Sequence, residues 1–254
     1  MRVKAVIAYD GGYFQGFQKQ KSTRYTITTA IEEALISIGI HSPIRGSGRT
    51  DAGVHATGQV IDFELPDFWY DLKKLKTVLN RKLKHIAFKH ITPVEEEFHA
   101  RFSAKRRLYR YLFKTTPPSI FEEQHISHYP PFDPRRLQES LHAFEGEHDF
   151  GYFLKTGTQT HTNLRTIYRA KYRLHHHHHI IYFEANGFLR SQVRMMVDFA
   201  MQVAQGKLNL TQQEEQLNLI KRHSTQLAPP EGLYLARILY WTQHTTTTAL
   251  VYFF

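Results

Sequence analysis

The sequence predicts a fold that contains both β-strands and α-helices, with at least one strand pair joined by a short connection. Segments in which apolar and polar residues alternate, the pattern of half-buried strands, occur from residues 2–9 to the C-terminal part of the chain. Segments with apolar residues at every third or fourth position, the pattern of amphipathic helices, lie between them. Two strand-like segments, 165–174 and 180–186, are separated by a short connection, which favours an antiparallel pair.

Length and charge are those of a folded protein that binds a polyanion. The chain has 254 residues, 41% of them hydrophobic, which is enough for one large domain or two smaller ones. Lysine and arginine outnumber aspartate and glutamate by 33 to 23, which gives a formal net charge of +10. A charge of this size most often serves nucleic-acid binding, and a generally basic surface is the alternative.

The composition also excludes several kinds of site. There is no cysteine, which rules out disulfides, a thiol nucleophile and cysteine-ligated zinc or iron–sulfur centres. The first residues lack the layout of a signal peptide, and no apolar run has the length that crosses a membrane. We therefore expect a soluble, cytoplasmic protein.

Residues 45–60 are the most distinctive part of the chain. They contain four glycines, two arginines and a single acidic residue, Asp51. Glycines at this density allow sharp turns and the close approach of a bulky ligand, so a substrate can reach Asp51. Apolar and acidic side chains alternate over residues 61–65, which predicts a half-buried strand directly after the loop.

Two other interpretations of this stretch are open. A phosphate-binding loop needs Lys-Ser or Lys-Thr at P-loop spacing, which is absent here, and Asp51 occupies the place of the last glycine of GxGxxG. An ordinary strand–turn–strand corner, with Asp51 capping the turn, fits the spacing equally well.

The first strand and the segment after it form a second distinctive region. Alternation predicts a strand over residues 2–9, followed by a turn at 10–12. Tyr13, Phe14 and Phe17 are then interleaved with glutamines and a lysine, which suits stacking on RNA bases and hydrogen bonding to them. The alternative is a hydrophobic edge of the core.

The remaining elements follow from periodicity. Helices are predicted over residues 26–38, 71–83, 133–146 and 188–205, with a last one beginning near residue 211. Further strands are predicted over residues 86–90 and 105–113, with a final one that ends near Trp241.

Capping residues support the ends of three of these helices. Thr29 with Glu32 offers a capping box for the first helix, and Thr211 with Glu214 caps the last. The third predicted helix opens with an Asp-Pro pair and closes at Gly146, as expected for an N-cap, a first-turn proline and a terminal glycine.

The strand at 105–113 is basic and aromatic on one face, which is shared by Arg107, Tyr109, Tyr111 and Phe113. An arginine beside aromatic rings is costly to bury and suits contact with RNA. The alternative is an amphipathic strand whose tyrosines cover an edge of the core. The lysine-rich face of the helix at 71–83 is likewise either solvated or directed at RNA.

Five consecutive histidines, residues 175–179, connect the two strands of the predicted pair. Such a run invites a metal-binding interpretation. Neighbouring residues of a strand point in opposite directions, so these histidines do not converge on one ion. We expect an exposed turn that binds nickel or zinc only adventitiously.

Six motifs, met in order between residue 2 and about residue 241, resemble those of the TruA-type tRNA pseudouridine synthases. They are YDGGYFQGFQKQ from residue 9, GRTDAGVHATGQV from residue 48, FHARFSA from residue 98, GEHDF from residue 146, FLRSQVRMMV from residue 188 and EGLYL from residue 231. One pair of residues and two single residues depart from the family pattern. Ile27-Thr28 stands where relatives carry Val-Gln, Gln192 replaces a methionine, and Asp198 replaces a glycine, which we expect to loosen a helix contact.

The resemblance implies the catalytic residues. It identifies Asp51 as the nucleophile, Arg194 as its partner in a bidentate ion pair, and Tyr109 as the active-site tyrosine. Tyr109 is expected to pack against the flipped uridine and to take the C5 proton. Arg49 is expected to occupy the gap that the uridine leaves in the stack, and Thr50 to contact the substrate. No cofactor and no metal are implied.

The resemblance also implies the architecture and the substrate. It predicts two α+β lobes, residues 1–101 and 102–254, whose mainly antiparallel sheets join into one central sheet with a basic active-site cleft between them. It predicts an isomerase that acts on uridines 38, 39 and 40 of the tRNA anticodon stem-loop, and a homodimer in which one tRNA spans both subunits. A non-catalytic RNA-binding relative and a synthase for a different uridine are the alternatives.

Overall fold

The computed structural model describes residues 1–155, 157 and 160–240. Within these residues, ten strands form one sheet: β1 (Arg2–Tyr9), β2 (Arg45–Gly46), β3 (His55–Glu64), β4 (Ile86–Pro93), β5 (Ala104–Lys114), β6 (Ser127–His128), β7 (Gly146–Asp149), β8 (Leu164–His175), β9 (His178–Ala185) and β10 (Leu233–Tyr240). Five α-helices accompany it: α1 (Ile27–Ile36), α2 (Leu72–Lys82), α3 (Pro134–Ala143), α4 (Gln192–Ala204) and α5 (Leu210–Leu217).

The sheet joins strands from both ends of the chain. Its order is β4-β1-β3-β10-β5-β9-β8-β7, with β2 beside β3 and β6 beside β5. The ladders are antiparallel except for β3 with β10 and β5 with β6. The predicted α+β fold with one joined, mainly antiparallel sheet is therefore confirmed. The lobe boundary between residues 101 and 102 stays a prediction.

The two parts of the sheet meet at a short parallel ladder between β3 and β10. Tyr234 pairs with His55, and Leu235 pairs with Ala56. Two residues further along β3, a Cβ atom on Gly58 would lie 2.2 Å from the carbonyl oxygen of Ala236. Only glycine allows the two strands to approach this closely, so the junction depends on Gly58.

The strand after the loop is buried on both faces as far as Phe63, so the half-buried prediction holds for Glu64 and is wrong for Asp62. Asp62 is fully buried in β3 and forms an ion pair with Arg45. The second carboxylate oxygen accepts the backbone N–H of Ala100 at 2.8 Å. A buried carboxylate is tolerated when a cation and a hydrogen-bond donor both satisfy it, and alternation alone cannot reveal such a pair.

Two helix caps differ from the sequence prediction. The side chain of Thr26, and not of Thr29, accepts the backbone N–H at the start of α1. Asn209 caps α5, and Gln212 completes its capping box, so Thr211 lies inside the helix. Polar residues three positions apart offer several equivalent caps, and tertiary packing decides between them.

Two helix ends also lie elsewhere than predicted. α3 begins after Asp133 with a proline in its first turn, as expected, but ends at Ala143, and Gly146 opens the unpredicted strand β7. α4 begins at Gln192, four residues later than the apolar periodicity predicts. Within it, Asp198 accepts a hydrogen bond of 2.6 Å from Gln202 one turn further along the helix.

The aromatic face of β5 is mostly core. Tyr111 and Phe113 are fully buried, and the Tyr111 hydroxyl donates to Ser127 Oγ at 2.8 Å. The RNA-contact interpretation is therefore wrong for these two residues. Tyr109, on the same face, pairs with Leu235 of β10 at the junction with β3 and is also buried.

The histidine run forms a hairpin turn between β8 and β9, as expected. His175 pairs with His178 across the ladder, and the chain reverses at His176, whose φ angle is 52°. No helix among the described residues combines the length and the apolar character needed to cross a membrane. Trp241, where the last strand is predicted to end, lies outside the described residues.

Candidate active site

The loop that carries Asp51 is anchored to the core through the residue before it. Thr50 is buried, and its hydroxyl lies 2.8 Å from the Tyr9 hydroxyl at the end of β1. Its carbonyl oxygen accepts the backbone N–H of Phe17 at 3.0 Å. Thr50 is predicted to contact the substrate, but its side chain is used to hold the loop in place.

A buried glutamine closes the other side of the loop. Gln59 on β3 is fully buried, and its Oε1 accepts the hydroxyl of Ser47 at 2.6 Å. Its Nε2 donates to the carbonyl oxygen of Gly48 at 2.8 Å. Because one side chain satisfies two loop residues, the backbone that leads to Asp51 is fixed on both sides.

The segment that follows β1 supports this loop. A Cβ atom on Gly11 would lie 2.0 Å from the carbonyl oxygen of Val54, so the two chain segments touch through backbone. Phe17 is buried and lies against Gly46. Thr28, which stands at a position that departs from the family pattern, donates its hydroxyl to the Phe17 carbonyl at 2.7 Å.

The aromatic residues of this segment are therefore mainly structural. Phe17 belongs to the core, as the alternative interpretation predicts. Tyr13 is exposed on one side and stacks on His85 on the other, with 3.5 Å between ring centroids. The hypothesis of a base-stacking cluster does not hold for Phe17, whose ring is inaccessible.

The Asp51 carboxylate is held at one oxygen by two donors from the start of α4. Ser191 Oγ donates to Oδ2 at 2.8 Å, and Arg194 Nη1 donates to the same oxygen at 3.2 Å. The Asp51 side chain is 29% exposed, so a ligand can reach it. Because its partners lie on another element, the carboxylate does not cap its own turn, which rules out the simple corner interpretation.

The ion pair between Asp51 and Arg194 is not bidentate as expected. Arg194 Nε donates instead to the carbonyl oxygen of Ala228 at 2.6 Å, and the Ala228 N–H donates back to the Arg194 carbonyl at 3.1 Å. The guanidinium therefore connects Asp51 to the segment that precedes β10. This arrangement fixes the direction of the guanidinium and leaves Asp51 Oδ1 without a donor among the described residues.

Tyr109 forms part of the site wall. Its ring packs edge-on against Phe188 with 5.2 Å between centroids, and its hydroxyl lies 3.9 Å from the position of a Cβ atom on Gly48. Burial raises the pKa of Tyr109 to about 12, and the nearby negative charge of Asp51 adds to this rise while Arg107 opposes it. Tyr109 is therefore a neutral phenol at physiological pH.

Five arginines form a cluster beside Tyr109 and the Asp51 loop and have no acidic partner among the described residues. These rim arginines are Arg49, Arg101, Arg107, Arg165 and Arg190. The pKa of Arg49 is lowered by partial burial and by repulsion from Arg101 and Arg190. Burial and repulsion from Arg101 likewise lower the pKa values of Arg107 and Arg165. Where these side chains hydrogen-bond within the described part of the chain, the acceptors are backbone carbonyl groups. Such uncompensated positive charge suits a phosphate backbone.

One group of side chains has the composition of a metal site, but its geometry is structural. The ligand atoms of Asp10, His55 and His125 lie within 4.8 Å of one another. His55 Nδ1 accepts the N–H of Gly11 at 3.0 Å, and Nε2 donates to the Gln124 carbonyl at 3.0 Å. Burial lowers the pKa of His55 and keeps it neutral. Both ring nitrogens are occupied, so no lone pair is left for an ion.

The structure brings together some predicted site residues and adds others. Asp51 and Arg194 are in contact, Tyr109 lies beside them, and Arg49 is exposed at the rim. Sequence reasoning missed Ser191, Tyr9 and Gln59, together with three of the rim arginines. For all of these except Arg165, a position inside one of four recognised motifs was the one available signal.

A protein-family model described as tRNA pseudouridine synthase matches residues 5–103 and 141–240. The match covers well over half of the chain. It includes the loop with Asp51, the start of α4 with Arg194, and both strands of the β3–β10 junction.

Curated relatives are similar to this chain over nearly their whole length. A tRNA pseudouridine synthase A from Helicobacter hepaticus is 40% identical over 243 residues, covering 93% of this chain and 98% of the relative. The protein of that name from Wolinella succinogenes is 39% identical over 235 residues, covering 92% of each. That from Geobacillus is 36% identical over 250 residues, covering 94% and 98%.

Proposed function

The chain belongs to the tRNA pseudouridine synthase family, which consists of isomerases, and on this premise we propose that it converts uridine to pseudouridine in tRNA, with Asp51 as the nucleophile. The relatives named tRNA pseudouridine synthase A support the reaction and the class of substrate. The site geometry supports the choice of residue.

The reaction needs a carboxylate and no redox partner. The glycosidic bond between C1′ and N1 breaks, and a bond between C1′ and C5 of the same uracil forms. The C5 proton is lost, and N1 gains a proton. A carboxylate beside the uridine, acting as nucleophile on the ribose or on the base, holds one fragment while the uracil turns.

The observation that carries the proposal is the state of the Asp51 carboxylate. It is partly exposed, and both of its donors bind Oδ2, so Oδ1 is the oxygen available to a substrate. The five rim arginines have no acidic partner in the described chain; Arg49 lies two residues before Asp51, and Arg107 lies near Tyr109. An anchored carboxylate in a basic setting suits a nucleophile that acts on RNA.

The other predicted residues take complementary roles. Tyr109 packs against the flipped uracil and, as a neutral phenol, relays the C5 proton through water. Arg49 is exposed at the rim and makes no protein hydrogen bond among the described residues, so it is free to fill the gap that the uridine leaves in the stack. Filling this gap offsets part of the unstacking cost, which is a few kcal/mol.

We extend the proposal to the position, the assembly and the location. The family resemblance implies uridines 38, 39 and 40 of the anticodon stem-loop as targets, a homodimer, and the cytoplasm, where tRNA is modified. Light scattering on the purified protein tests the dimer, which has twice the mass of the chain.

The experiment is tritium release from tRNA transcripts labelled at uridine C5. Three transcripts each keep one uridine, at position 38, 39 or 40, and carry cytidine at the other two positions. The wild type is compared with Asp51→Asn, which keeps the shape and removes the charge. Binding of the same transcripts is measured by filter retention, and pseudouridine is located by carbodiimide-dependent stops in reverse transcription.

We expect label release by the wild type without added cofactor, and none by Asp51→Asn, with equal binding by both. Binding without release by the wild type means a non-catalytic relative or a synthase for another uridine. Release by Asp51→Asn at the wild-type rate removes Asp51 from the mechanism. Reverse-transcription stops at other positions would mean that the protein modifies different uridines, while the proposed reaction stands.

A further inference from the structure

Ser191 occupies an unusual backbone conformation directly beside the candidate nucleophile. It has φ 59° and ψ 7°, the left-handed region, and is one of four non-glycine residues with positive φ in the described chain. Glycine enters this region freely and Asn, Asp and His at modest cost, whereas a serine is strained there. Such strain persists only where the surroundings impose it, and it is concentrated at functional sites.

The Ser191 side chain does not cap the helix that follows it. It precedes the first residue of α4, where a serine normally accepts a backbone N–H of the first turn, yet it makes no such bond. Its hydroxyl donates to Asp51 Oδ2 at 2.8 Å instead. The residue that contacts the carboxylate therefore has a strained backbone and leaves the helix without a side-chain cap.

A buried glutamine holds this strained turn. Gln192 is fully buried, and its Oε1 accepts the backbone N–H of Leu189 at 2.7 Å. The Gln192 N–H donates to the Leu189 carbonyl at 3.2 Å, which closes the same turn. A methionine at position 192 has no oxygen to accept that N–H. The departure of Gln192 from the family pattern therefore has a structural reason in this chain.

Ser191 and Arg194 together determine which oxygen of Asp51 is free. Both donors come from the start of one helix, and both bind Oδ2. Two donors on one oxygen fix the rotation of the carboxylate and turn Oδ1 away from them. Arg194 alone fixes the distance from its guanidinium to the Asp51 carboxylate, and the hydrogen bond from Ser191 is needed to fix the rotation of that carboxylate.

We propose that Ser191, held by Gln192, is a positioning residue that presents Asp51 Oδ1 to the uridine. The inference rests on the proposed function and deepens it, since it assigns a role to a residue of the same site. The Ser191 hydroxyl is then needed for the rate of the chemical step and not for RNA binding, because it acts on the substrate only through Asp51.

The test uses Ser191→Gly and Ser191→Ala in the full-length protein. Both lose the hydroxyl, but glycine adopts φ 59° without strain, whereas alanine does not. Ser140→Ala is the control, because it removes a buried hydroxyl that donates to Gln213 and lies on α3. Single-turnover tritium release, transcript binding and the melting temperature are measured for each protein.

We expect both Ser191 variants to lose at least about tenfold in single-turnover rate, as for loss of a hydrogen bond to a charged group. Transcript affinity stays within about twofold, and Ser191→Gly melts no lower than the wild type. Ser140→Ala keeps the wild-type rate at temperatures where it is folded.

Three results overturn the inference while leaving the proposed function intact. Wild-type rates in both variants show that the hydroxyl is dispensable. A loss in Ser191→Ala that Ser191→Gly lacks assigns the effect to the backbone. A loss matched by weaker binding or a lower melting temperature of Ser191→Gly indicates a merely structural role. An inactive wild type overturns the proposed function itself and this inference with it, so the two failures are distinguishable.

Discussion

The hydroxyl groups of Tyr9 and Thr50 are joined by a hydrogen bond of 2.8 Å inside the core. Tyr9 ends β1, and Thr50 directly precedes Asp51, so this bond connects the sheet to the candidate nucleophile. Burial raises the pKa of Tyr9, which keeps its proton available for the bond. The position of Asp51 therefore depends on a contact made by its neighbour.

Tyr9→Phe removes this bond and leaves the buried Thr50 hydroxyl without its partner. We expect a loss of about 1–3 kcal/mol in the free energy of unfolding and a several-fold lower single-turnover rate. Transcript affinity is unchanged, because neither side chain is accessible to RNA. Tyr70→Phe is the matched control, since Tyr70 is exposed and distant in sequence from the loop. Equal stability of Tyr9→Phe and the wild type would contradict the role of the bond.

Arg194→Lys tests the connection between Asp51 and the segment before β10. The guanidinium uses two different nitrogens for Asp51 and Ala228, and one ammonium group cannot reproduce that fork. We expect a loss of about tenfold to one hundredfold in single-turnover rate. Arg24→Lys, at an exposed arginine paired with Glu33, serves as the control. A rate for Arg194→Lys within twofold of the wild type would show that catalysis does not need the guanidinium contact to both Asp51 and Ala228.

The pH dependence of Tyr109→Phe distinguishes a phenol from a phenolate. Burial raises the pKa of Tyr109 to about 12, so the phenolate is a minute fraction at neutral pH and increases about tenfold per pH unit below that value. If Tyr109 acts as a packed, neutral phenol, the ratio of wild-type to Tyr109→Phe rates is constant from pH 7 to about 9.5. A ratio that rises about tenfold per unit identifies the phenolate as the base.

The size of the Tyr109 side chain provides a separate prediction. The ring packs edge-on against Phe188 in the site wall, and phenylalanine keeps this contact. We expect Tyr109→Leu to lose more single-turnover activity than Tyr109→Phe, because leucine lacks the flat face that stacks on a uracil. The melting temperature of each variant is measured as well, because a lost contact with the protein core lowers it, whereas a lost contact with the uracil base does not. Equal rates of the two variants at equal stability contradict a stacking role.

Sequence patterns predicted the structure best where the residues of the site themselves have an unusual composition or a regular alternation. The dense glycines around Asp51 identified the loop, and alternation placed β1, β4 and β5 within a few residues. Ser191 escaped prediction because Leu189 lies four positions before Val193 and so extends the helical spacing backwards, which places the helix start too early. Periodicity reports which face is buried and carries no information about the sign of φ.

Buried polar partners were the second kind of feature that pattern could not reveal. Gln59 and Asp62 both lie on β3, where alternation assigns polar residues to the solvent. Each is satisfied by groups distant in sequence, Gln59 by the loop and Asp62 by Arg45 and Ala100. Such partners become visible only when the tertiary fold brings the segments together.

The rim arginines predict the salt dependence of RNA binding. Arg101 is exposed, repels Arg49, and has no carboxylate partner in the described chain. We expect Arg101→Gln to weaken transcript binding and to reduce the slope of log K against log salt by about 0.7–0.9, the effect of one phosphate contact. Arg24→Gln, which removes an arginine paired with Glu33, leaves the slope unchanged. Identical slopes for Arg101→Gln and the wild type place the RNA elsewhere.

The junction between β3 and β10 gives the last prediction, because it holds together the two parts of the site. Asp51 lies on the loop before β3, whereas Ser191 directly precedes α4 and Arg194 lies within it, so their contact depends on the joined sheet. In Gly58→Ala the new methyl group meets a backbone carbonyl oxygen at 2.2 Å, and no rotation relieves this clash. We expect a loss of about 3 kcal/mol or more in the free energy of unfolding and a melting temperature lower by roughly 10 °C.

Gly187→Ala is the matched control for this substitution, since its new Cβ atom meets only a flexible arginine side chain at 3.6 Å. Single-turnover activity of Gly58→Ala, measured well below its melting temperature, falls further than that of Gly187→Ala, because separation of the strands withdraws Oδ2 of Asp51 from its donors. Full activity and stability of Gly58→Ala would mean that the strands tolerate a wider spacing. The site would then be held by the Asp51–Arg194 pair, with the sheet following it.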